Sequence, residues 1–244
     1  ATLVVVGDVK PETVLALAKT HFGPIKKSPP INRVMQKEPP SIGKKTVLVQ
    51  TQAEVPMLMQ GYIVPSVASA NEKERKDPYA LEIIAGLLDA GEGARLHKNL
   101  IRGNQSASNV GTDYNLYTRY ETQFIIYGSP SQSNTLESLA PKMTAELKRL
   151  QQERVLDEEL NRVKTQLIAE KTFERDSIFS QAMELGLLET IGLSFDIATR
   201  YEQRIQEITA EDIQRVARRY FTDSNLTEAH LIPHKAQRQL EAKP

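Results

Sequence analysis

Cysteine is missing from all 244 residues of this chain. Without it the chain can form no disulfide, use no thiol nucleophile and build no thiolate metal site. Its absence suits an oxidising compartment and the cytoplasm equally. Histidine is also scarce, with four residues. A metal site or general base built on imidazole must therefore use His21, His97, His230 or His234.

An excess of charge of either sign is lacking as well, because 31 basic residues balance 31 acidic ones. No global field therefore attracts nucleic acid or an anionic membrane. No apolar run approaches the roughly 18 residues of a membrane-spanning helix. With 40% hydrophobic and 25% charged residues, the composition is that of an ordinary globular protein. The length allows one large domain, or one domain with part of another.

The first residues predict a strand, a turn and a helix. Thr2–Val6 is apolar and β-branched, Pro11 suits the first turn of a helix, and Gly23-Pro24 ends that helix. Residues 26–45 then change in composition, with Pro29-Pro30, Pro39-Pro40 and several lysines. This composition is typical of a linker, so we place a domain boundary there.

The remaining chain predicts an α+β domain with an antiparallel sheet and helices packed on one face. The strands and helices are segregated along the chain and do not alternate, which favours this class. The capping pair Thr209 and Asp212 marks the start of the last helix, and Asp77-Pro78 marks an earlier one as N-cap and first helical residue. The predicted strands are 46–51, 56–64, 107–116, 121–127 and 226–232, and the predicted helices are 77–88, a short one through Leu100, 134–154, 157–176, 177–191, 195–206 and one in "ITAEDIQRVARRYF".

The two ends of the chain resemble each other. The chain ends with a helix, "RRYFTDSN" and the strand "LTEAHLIP", and it begins with a similar strand, "ATLVVVG". The simplest interpretation is two homologous domains in tandem. We therefore expect residues 1–25 to be the terminal strand and helix of a preceding domain. Residues 26–45 would be the linker, 46–235 the second domain and 236–244 a tail.

Several segments together resemble the M16 metallopeptidases, the pitrilysin/insulinase family. They are "ATLVVVGDVKPETVLALAKTHFGPI", "VPMLMQGYIVP", "DPYALEIIAGLLDAGEGARLHKNLI", "VLDEELNRVKTQLIAEKTFERDS" and "ITAEDIQRVARRYF". They follow in order from Ala1 to about His234. The resemblance is to the second, non-zinc-binding domain of a two-domain member.

The resemblance implies a function for the whole protein. In this family homologous α+β domains enclose a peptide, and one of them carries the motif H-x-x-E-H, which binds Zn²⁺ and supplies a Glu that activates water. A domain like this one closes the chamber. We therefore expect a chain inactive alone, with zinc in the full-length enzyme or in a partner domain, and a peptide as substrate. Homo-oligomerisation stays open.

The four histidines predict no zinc site in this chain. No H-x-x-E-H is present. His230 and His234 have the spacing of two ligands on a helix, but Pro233 and the strand-like context exclude a helix. In a strand they would lie about 13 Å apart, so we expect a solvated or edge-strand position. His97 is expected to pack within its helix, and His21 to interact with a helix C-terminus.

The family's second domain often supplies an Arg and a Tyr, seven residues apart, that contact the substrate and stabilise developing charge. In this chain the ungapped positions hold Ile101 and Ser108, and a one-residue slip gives Arg102 and Asn109. Arg102 is therefore the one candidate for substrate binding, against the alternative of a solvated Arg at a helix end. No catalytic residue is predicted.

Two alternatives stay open, and the missing Arg/Tyr pair supports the first of them. The chain could be a non-peptidase structural or assembly subunit, or a peptide-binding partner of a separate subunit that bears H-x-x-E-H. Among the tyrosines Tyr114, Tyr117, Tyr120 and Tyr127, sheet packing explains most, and one or two could line a peptide chamber. Because bacterial relatives of this type are often exported, the resemblance favours the periplasm over the cytoplasm.

Overall fold

The computed structural model describes residues 2–29 and 42–234. Residues 30–41, most of the predicted linker, and the predicted tail lie outside this part of the chain. The elements follow in the order α1 (Pro11–Phe22), β1 (Lys45–Thr51), β2 (Met57–Val64), α2 (Asp77–Asp89), a π-helix (His97–Gly103), β3 (Ala107–Tyr114), β4 (Thr122–Pro130), α3 (Leu136–Gln152), α4 (Asp157–Glu174), α5 (Ile178–Ile191), α6 (Asp196–Thr199), α7 (Tyr201–Gln206), α8 (Ala210–Tyr220), a 3₁₀-helix (Asp223–Asn225) and β5 (Leu226–Pro233).

One five-stranded sheet organises the domain, with the order β1-β5-β2-β4-β3. The strands β5, β2, β4 and β3 pair antiparallel, whereas β1 pairs parallel with β5, Val47 opposite Ala229. The predicted α+β class is confirmed, and the sheet is mixed because of this one pairing. Local sequence patterns contain no signal for a parallel partner at the far end of the chain.

The helices cover one face of the sheet, as predicted. On β2 the side chains of Leu58, Gln60, Tyr62 and Val64 are buried, and the residues that alternate with them are more exposed. This is the period of two expected for a strand with one covered face. Helices α2, α3 and α8 contact this covered face. A Cβ placed on Gly128 of β4 would lie 3.5 Å from both Leu139 and Met143 of α3.

An aromatic cluster links the sheet to the end of α8. The ring of Phe221 lies edge-on to Tyr62, with centroids 5.2 Å apart, and 5.0 Å from the ring of Phe124. All three side chains are buried. Each buried ring of this size stabilises the fold by about 1.5–3 kcal/mol, so this cluster fixes α8 against the centre of the sheet.

The helix starts agree with the sequence to within two residues. Thr209 accepts a hydrogen bond from the Asp212 amide at 3.2 Å, and Asp212 accepts one from the Thr209 amide at 3.2 Å, which is the predicted capping box. Asp77, predicted as N-cap, is the first residue of α2. Its buried carboxylate instead accepts hydrogen bonds from Arg215 at 2.7 Å and Tyr220 at 2.8 Å.

The first residues behave differently from the rest. The predicted helix is confirmed as α1, but none of its residues is buried. Residues 2–6 form no strand; Val4 instead lies beside α5, 3.3 Å from where a Cβ on Gly186 would be. That these residues close the sheet of a preceding domain stays a prediction. None of the described helices is both long and apolar enough to cross a membrane.

Candidate functional site

The face of the sheet opposite the helices, here called the open face, is largely apolar. Alternation along the strands places on it the side chains that the helices do not cover. Many are aliphatic and partly or well exposed, among them Met59 at 41% and Val47 at 45%. Its residues are Lys45, Val47 and Val49 of β1, Thr227, Ala229 and Leu231 of β5, Met57, Met59, Gly61 and Ile63 of β2, Gln123, Ile125 and Tyr127 of β4, and Gly111 and Asp113 of β3.

A shallow depression of about 220 Å³ lies in the middle of the open face. Gly61 forms part of its floor, flanked by Met59, Ile125 and Ala229. A Cβ at position 61 would have its nearest neighbour 3.9 Å away, the carbonyl oxygen of Thr227. Glycine is therefore not needed to avoid a clash here, but it deepens the depression by the size of a side chain.

The open face is bounded by edge strands of different character. All seven residues of β1 are exposed, including Leu48 at 65%. On β3 the amide of Thr112 donates to the carboxylate of Asp89 at 2.9 Å, so α2 occupies part of that edge. Unpaired groups on an edge strand can accept an extended peptide, and β1 offers the longer exposed stretch of the two.

The two positions at which the family resemblance suggested an Arg and a Tyr, residues 101 and 108, hold uncharged side chains. Ile101 packs against the core. The hydroxyl of Ser108 donates to the carbonyl oxygens of Ser129 at 3.3 Å and Pro130 at 3.2 Å. Both side chains contact the rest of the domain, and neither has the charge of an Arg or the phenol of a Tyr.

Arg102 lies at the end of the π-helix, and 56% of its side chain is exposed. Its guanidinium donates to the carbonyl oxygen of Glu92 and lies 3.8 Å from the Glu92 carboxylate. Glu92 follows Gly91, whose φ of +77° ends α2 as the glycines of "DAGEGARL" indicate. A substrate would have to compete with Glu92 for this side chain.

Two of the four histidines, His97 and His230, pair with carboxylates. The imidazole of His97 lies 3.1 Å from Asp89, and that of His230 lies 2.9 Å from Glu228. The expectation of a solvated or edge position for His230 is wrong, because β5 lies between β1 and β2 and the side chain is 12% exposed. The sequence pattern predicts that His230 lies on a strand, but it does not show which strands lie on either side of that strand.

Glu228 is the centre of a buried polar cluster on the covered face. Its carboxylate accepts hydrogen bonds from Gln60 at 3.0 Å, Lys44 at 3.1 Å and His230 at 2.9 Å. Burial opposes ionisation of Glu228, but the hydrogen bonds from His230, Gln60 and Lys44 outweigh it and hold the pKa of its carboxyl below the usual value. The cluster therefore holds its charge as part of the fold.

The side chains available for a metal do not converge. Within residues 2–29 and 42–234, no group of three or more His, Cys, Asp or Glu side chains is arranged to hold a metal ion. A catalytic zinc site needs three such ligands and an open position. The described residues therefore do not fit a catalytic zinc ion.

The comparison with protein families decides the classification. The family described as Peptidase M16 inactive domain matches residues 1–167. The chain belongs to this family. The resemblance seen in the sequence is thereby confirmed, and with it the α+β fold.

Similar proteins extend this result over most of the chain. The zinc protease PqqE of Helicobacter pylori (strain ATCC 700392 / 26695) is 27% identical over 238 residues, which is 96% of this chain and 51% of that protein. The chain thus spans about half the length of this curated relative. A crystal structure of a protease from Helicobacter pylori superimposes with a TM-score of 0.83 and 25% identity, over 93% of this chain and 54% of the other.

Two more distant structures show the same fold. The peptidase M16 inactive domain from Pseudomonas fluorescens has a TM-score of 0.76 at 15% identity, covering 95% of this chain and 53% of that one. The periplasmic protease PqqL from Escherichia coli has a TM-score of 0.74 at 15% identity, covering 93% of this chain and 26% of PqqL. The fold is therefore that of an inactive domain of M16 zinc-protease-like proteins.

Proposed function

We propose that this chain is the substrate-enclosing, non-catalytic half of a zinc-dependent M16 endopeptidase. In this proposal the zinc is held by a domain that bears H-x-x-E-H, either in the same polypeptide or in a partner subunit. The chain itself contributes a wall of the chamber that holds the peptide.

The observation that carries the proposal is the apolar open face. A sheet face on which Met59 and Val47 are exposed beside the half-buried Ile125 requires a cover. An extended peptide between two such domains would supply one. The family match supports a pairing with a catalytic domain. The chain matches 51% of the zinc protease PqqE of Helicobacter pylori, so about half of that relative is left for a catalytic domain.

Ile101 and Ser108 favour a second candidate, a structural or assembly subunit without peptidase function. Neither side chain can supply the charge or phenol that the family's pair supplies. If the assembled protein is nevertheless a peptidase, Arg102 is the residue on this side that we propose for substrate contact, after release from Glu92.

A peptide-binding partner of a separate zinc-bearing subunit is the remaining alternative. The coding sequence separates the three. An H-x-x-E-H in the same reading frame supports the first proposal, one confined to a neighbouring gene supports the accessory subunit, and its absence from both supports the structural subunit.

We also propose a periplasmic location. The support is the resemblance together with the structural neighbour from Escherichia coli, which is a periplasmic protease. The lack of cysteine is compatible with this compartment. Fractionation of cells that express the full-length protein would test it.

Methionine methyl NMR tests the proposed wall. Met57 and Met59 lie on the open face, whereas Met143 is buried in the core and Met183 is 57% exposed on α5. Titrating a short, unstructured peptide into methyl-labelled chain should shift the Met57 and Met59 signals and leave those of Met143 and Met183 in place. Shifts confined to Met183, or none at saturating peptide, would refute the open face as the binding surface.

A further inference from the structure

A cavity of about 340 Å³ lies between the loop that follows β2, the first turn of α2 and the segment that contains α6 and α7. Three arginines from two of these segments line it. Arg75 comes from the loop before α2, and Arg200 and Arg204 come from the segment of α6 and α7. The other ionisable groups of its wall belong to Glu72, Tyr79 and Asp196.

Two of these arginines are not neutralised by the protein. Arg204 pairs with Glu207 at 3.1 Å, and Glu207 lies outside the cavity wall. Within the described part of the chain, no carboxylate lies within ion-pair distance of Arg75 or Arg200. The guanidinium groups of Arg75 and Arg200 are therefore both available to an anion in the cavity.

Two of the guanidinium groups also repel each other. The amide of Arg204 donates to the carbonyl oxygen of Arg200 at 3.0 Å, so the two residues lie one helical turn apart, and both line the same cavity. Like charges at this spacing destabilise a helix. An anion bound between them would remove the repulsion.

The hydroxyl of Tyr79 is a buried donor that faces this cavity without a partner. The residue is 5% exposed, and the described chain supplies no hydrogen bond to its Oη. Unlike Tyr117 Oη, this atom is not closed off from solvent, and the cavity that Tyr79 lines gives access to it. Burial raises the pKa of Tyr79, and the nearby guanidinium of Arg204 opposes the rise. The phenol therefore stays protonated at neutral pH and can donate to an anion.

The backbone around the cavity is held by contacts that do not involve the ligand. The amide of Val67 donates to the carbonyl oxygen of Leu116 at 3.0 Å, and Ser66 Oγ donates to that of Thr118 at 2.8 Å. Asp77, two residues after Arg75, is fully buried. A wall fixed in this way loses little conformational freedom when a ligand binds.

We propose that this cavity binds an ionised carboxylate group, either that of a peptide C-terminus or that of a small carboxylic acid. The guanidinium groups of Arg75 and Arg200 would pair with its oxygens, and Tyr79 Oη would donate a hydrogen bond to it. The inference goes beyond the proposed function, because none of the residues of this wall lies on the open face.

A carboxylate fits the cavity better than phosphate because of charge. The carboxylates of Glu72 and Asp196 also line the wall, so its three guanidinium groups leave an excess of one positive charge. A singly charged carboxylate balances this excess, whereas a doubly charged phosphate would exceed it beside two acidic side chains. The planar fork of a guanidinium also matches the two oxygens of a carboxylate.

The arginine Nε signals of the ¹⁵N-labelled 244-residue chain measure binding by NMR. The probes, titrated at constant ionic strength, are acetyl-trialanine with a free C-terminal carboxylate, the same peptide with a C-terminal amide, propionate and phosphate. We expect the peptide acid to shift the signals of Arg75 and Arg200 and to bind at least tenfold more tightly than the amide. Tighter binding of the peptide acid than of propionate identifies a peptide end as the source of the carboxylate, and equal binding identifies a small carboxylic acid.

Three variants locate the effect. Arg200→Gln and Tyr79→Phe should each weaken the peptide acid several-fold and leave the amide unchanged. Lys73→Gln removes the same charge two residues before Arg75 but outside the cavity wall, and should have no effect. Tyr79→Phe should keep the melting temperature, because Oη has no partner to lose. Arg200→Gln should keep or raise it, because the repulsion from Arg204 ends, and these values separate loss of binding from loss of fold.

Four results would overturn the carboxylate site. They are equal affinities for the peptide acid and the amide, no shift with either the peptide acid or propionate, tighter binding of phosphate than of both carboxylates, and equal effects of Lys73→Gln and Arg200→Gln. The methyl signals of Met57 and Met59 report on the open face separately, so each of these results would leave the proposed function standing.

Discussion

The phenol ring of Tyr127 lies directly over Gly111 on the open face. A Cβ on Gly111 would be 2.5 Å from Tyr127 Oη and 2.6 Å from Cζ, far inside van der Waals contact. These residues are opposite each other in the pairing of β3 with β4. The missing side chain at position 111 therefore leaves room for the aromatic ring of Tyr127 near the edge of the sheet.

Gly111→Ala should therefore displace Tyr127. We expect it to lower the free energy of unfolding by about 1–3 kcal/mol, the usual cost of overpacking. In a Tyr127→Ala background the same change should cost clearly less, since the ring is gone. Urea unfolding of the four proteins measures the coupling. Additive costs would show that the two residues do not constrain each other.

Glu82 should make the stability of the domain pH-dependent. Burial raises the pKa of its carboxyl from an ordinary value near 4.5 to about 7, while Tyr201 and Lys171 lower it and Glu170 and Glu174 add to the rise. Between these two values the folded state binds more protons than the unfolded state. The contribution of Glu82 to stability therefore falls as pH rises through this window.

The variant Glu82→Gln removes this penalty. At about pH 8 we expect it to raise the free energy of unfolding by about 1–3 kcal/mol, and at about pH 4.5 to change it little. Chemical denaturation at both pH values measures this, with the exposed Glu158→Gln as control. The same gain in the free energy of unfolding at both pH values would show that ionisation of Glu82 does not cause it.

The buried carboxylate of Asp77 should be essential to the packing of α2 against α8. It is fully buried and accepts from Arg215, Arg219 and Tyr220. We expect Asp77→Ala to cost about 3 kcal/mol, as judged by urea unfolding.

A matched control exists for Asp77. Asp157 is also the first residue of its helix and also pairs with an arginine, Arg154, but its side chain is 72% exposed. Asp157→Ala should change stability by less than about 1 kcal/mol. Comparable losses in the two variants would mean that Asp77 acts only on the helix terminus and not through its buried partners.

Arg102 is the residue of this chain that we propose to contact the substrate in the complete enzyme. If it leaves Glu92 to touch the peptide, Arg102→Ala should lower kcat/KM tenfold or more, about 1.4 kcal/mol of transition-state stabilisation. Lys98→Ala, a change of the same charge in the same π-helix, should have little effect. An unchanged kcat/KM for Arg102→Ala would leave Arg102 as a solvent-exposed partner of Glu92.

The element types follow closely from local patterns, and the deviations have physical causes. The predicted helix 195–206 is divided at Arg200 into α6 and α7, although no proline or glycine marks the break. The short helix predicted to end at Leu100 is a π-helix that runs to Gly103. In both places tertiary packing decides a hydrogen-bond pattern that residue preferences leave open.

The candidate site was less predictable than the fold. Strand β2 carries apolar side chains on both faces, with Met57, Met59 and Ile63 on the open one, and this pattern resembles a strand covered on both sides. The pattern alone does not show whether the second face is covered, and the described residues leave it partly exposed. The cavity at Tyr79 depends on contacts between distant segments, which no local motif records.

The most direct test of the central claim measures binding and hydrolysis in one sample. The 244-residue chain is incubated with Zn²⁺ and a short peptide, binding is followed by the methyl signals of Met57 and Met59, and cleavage by mass spectrometry. The account predicts that the peptide binds and stays intact. Hydrolysis that a chelator abolishes would contradict it, because the chain would then hold a catalytic zinc ion of its own.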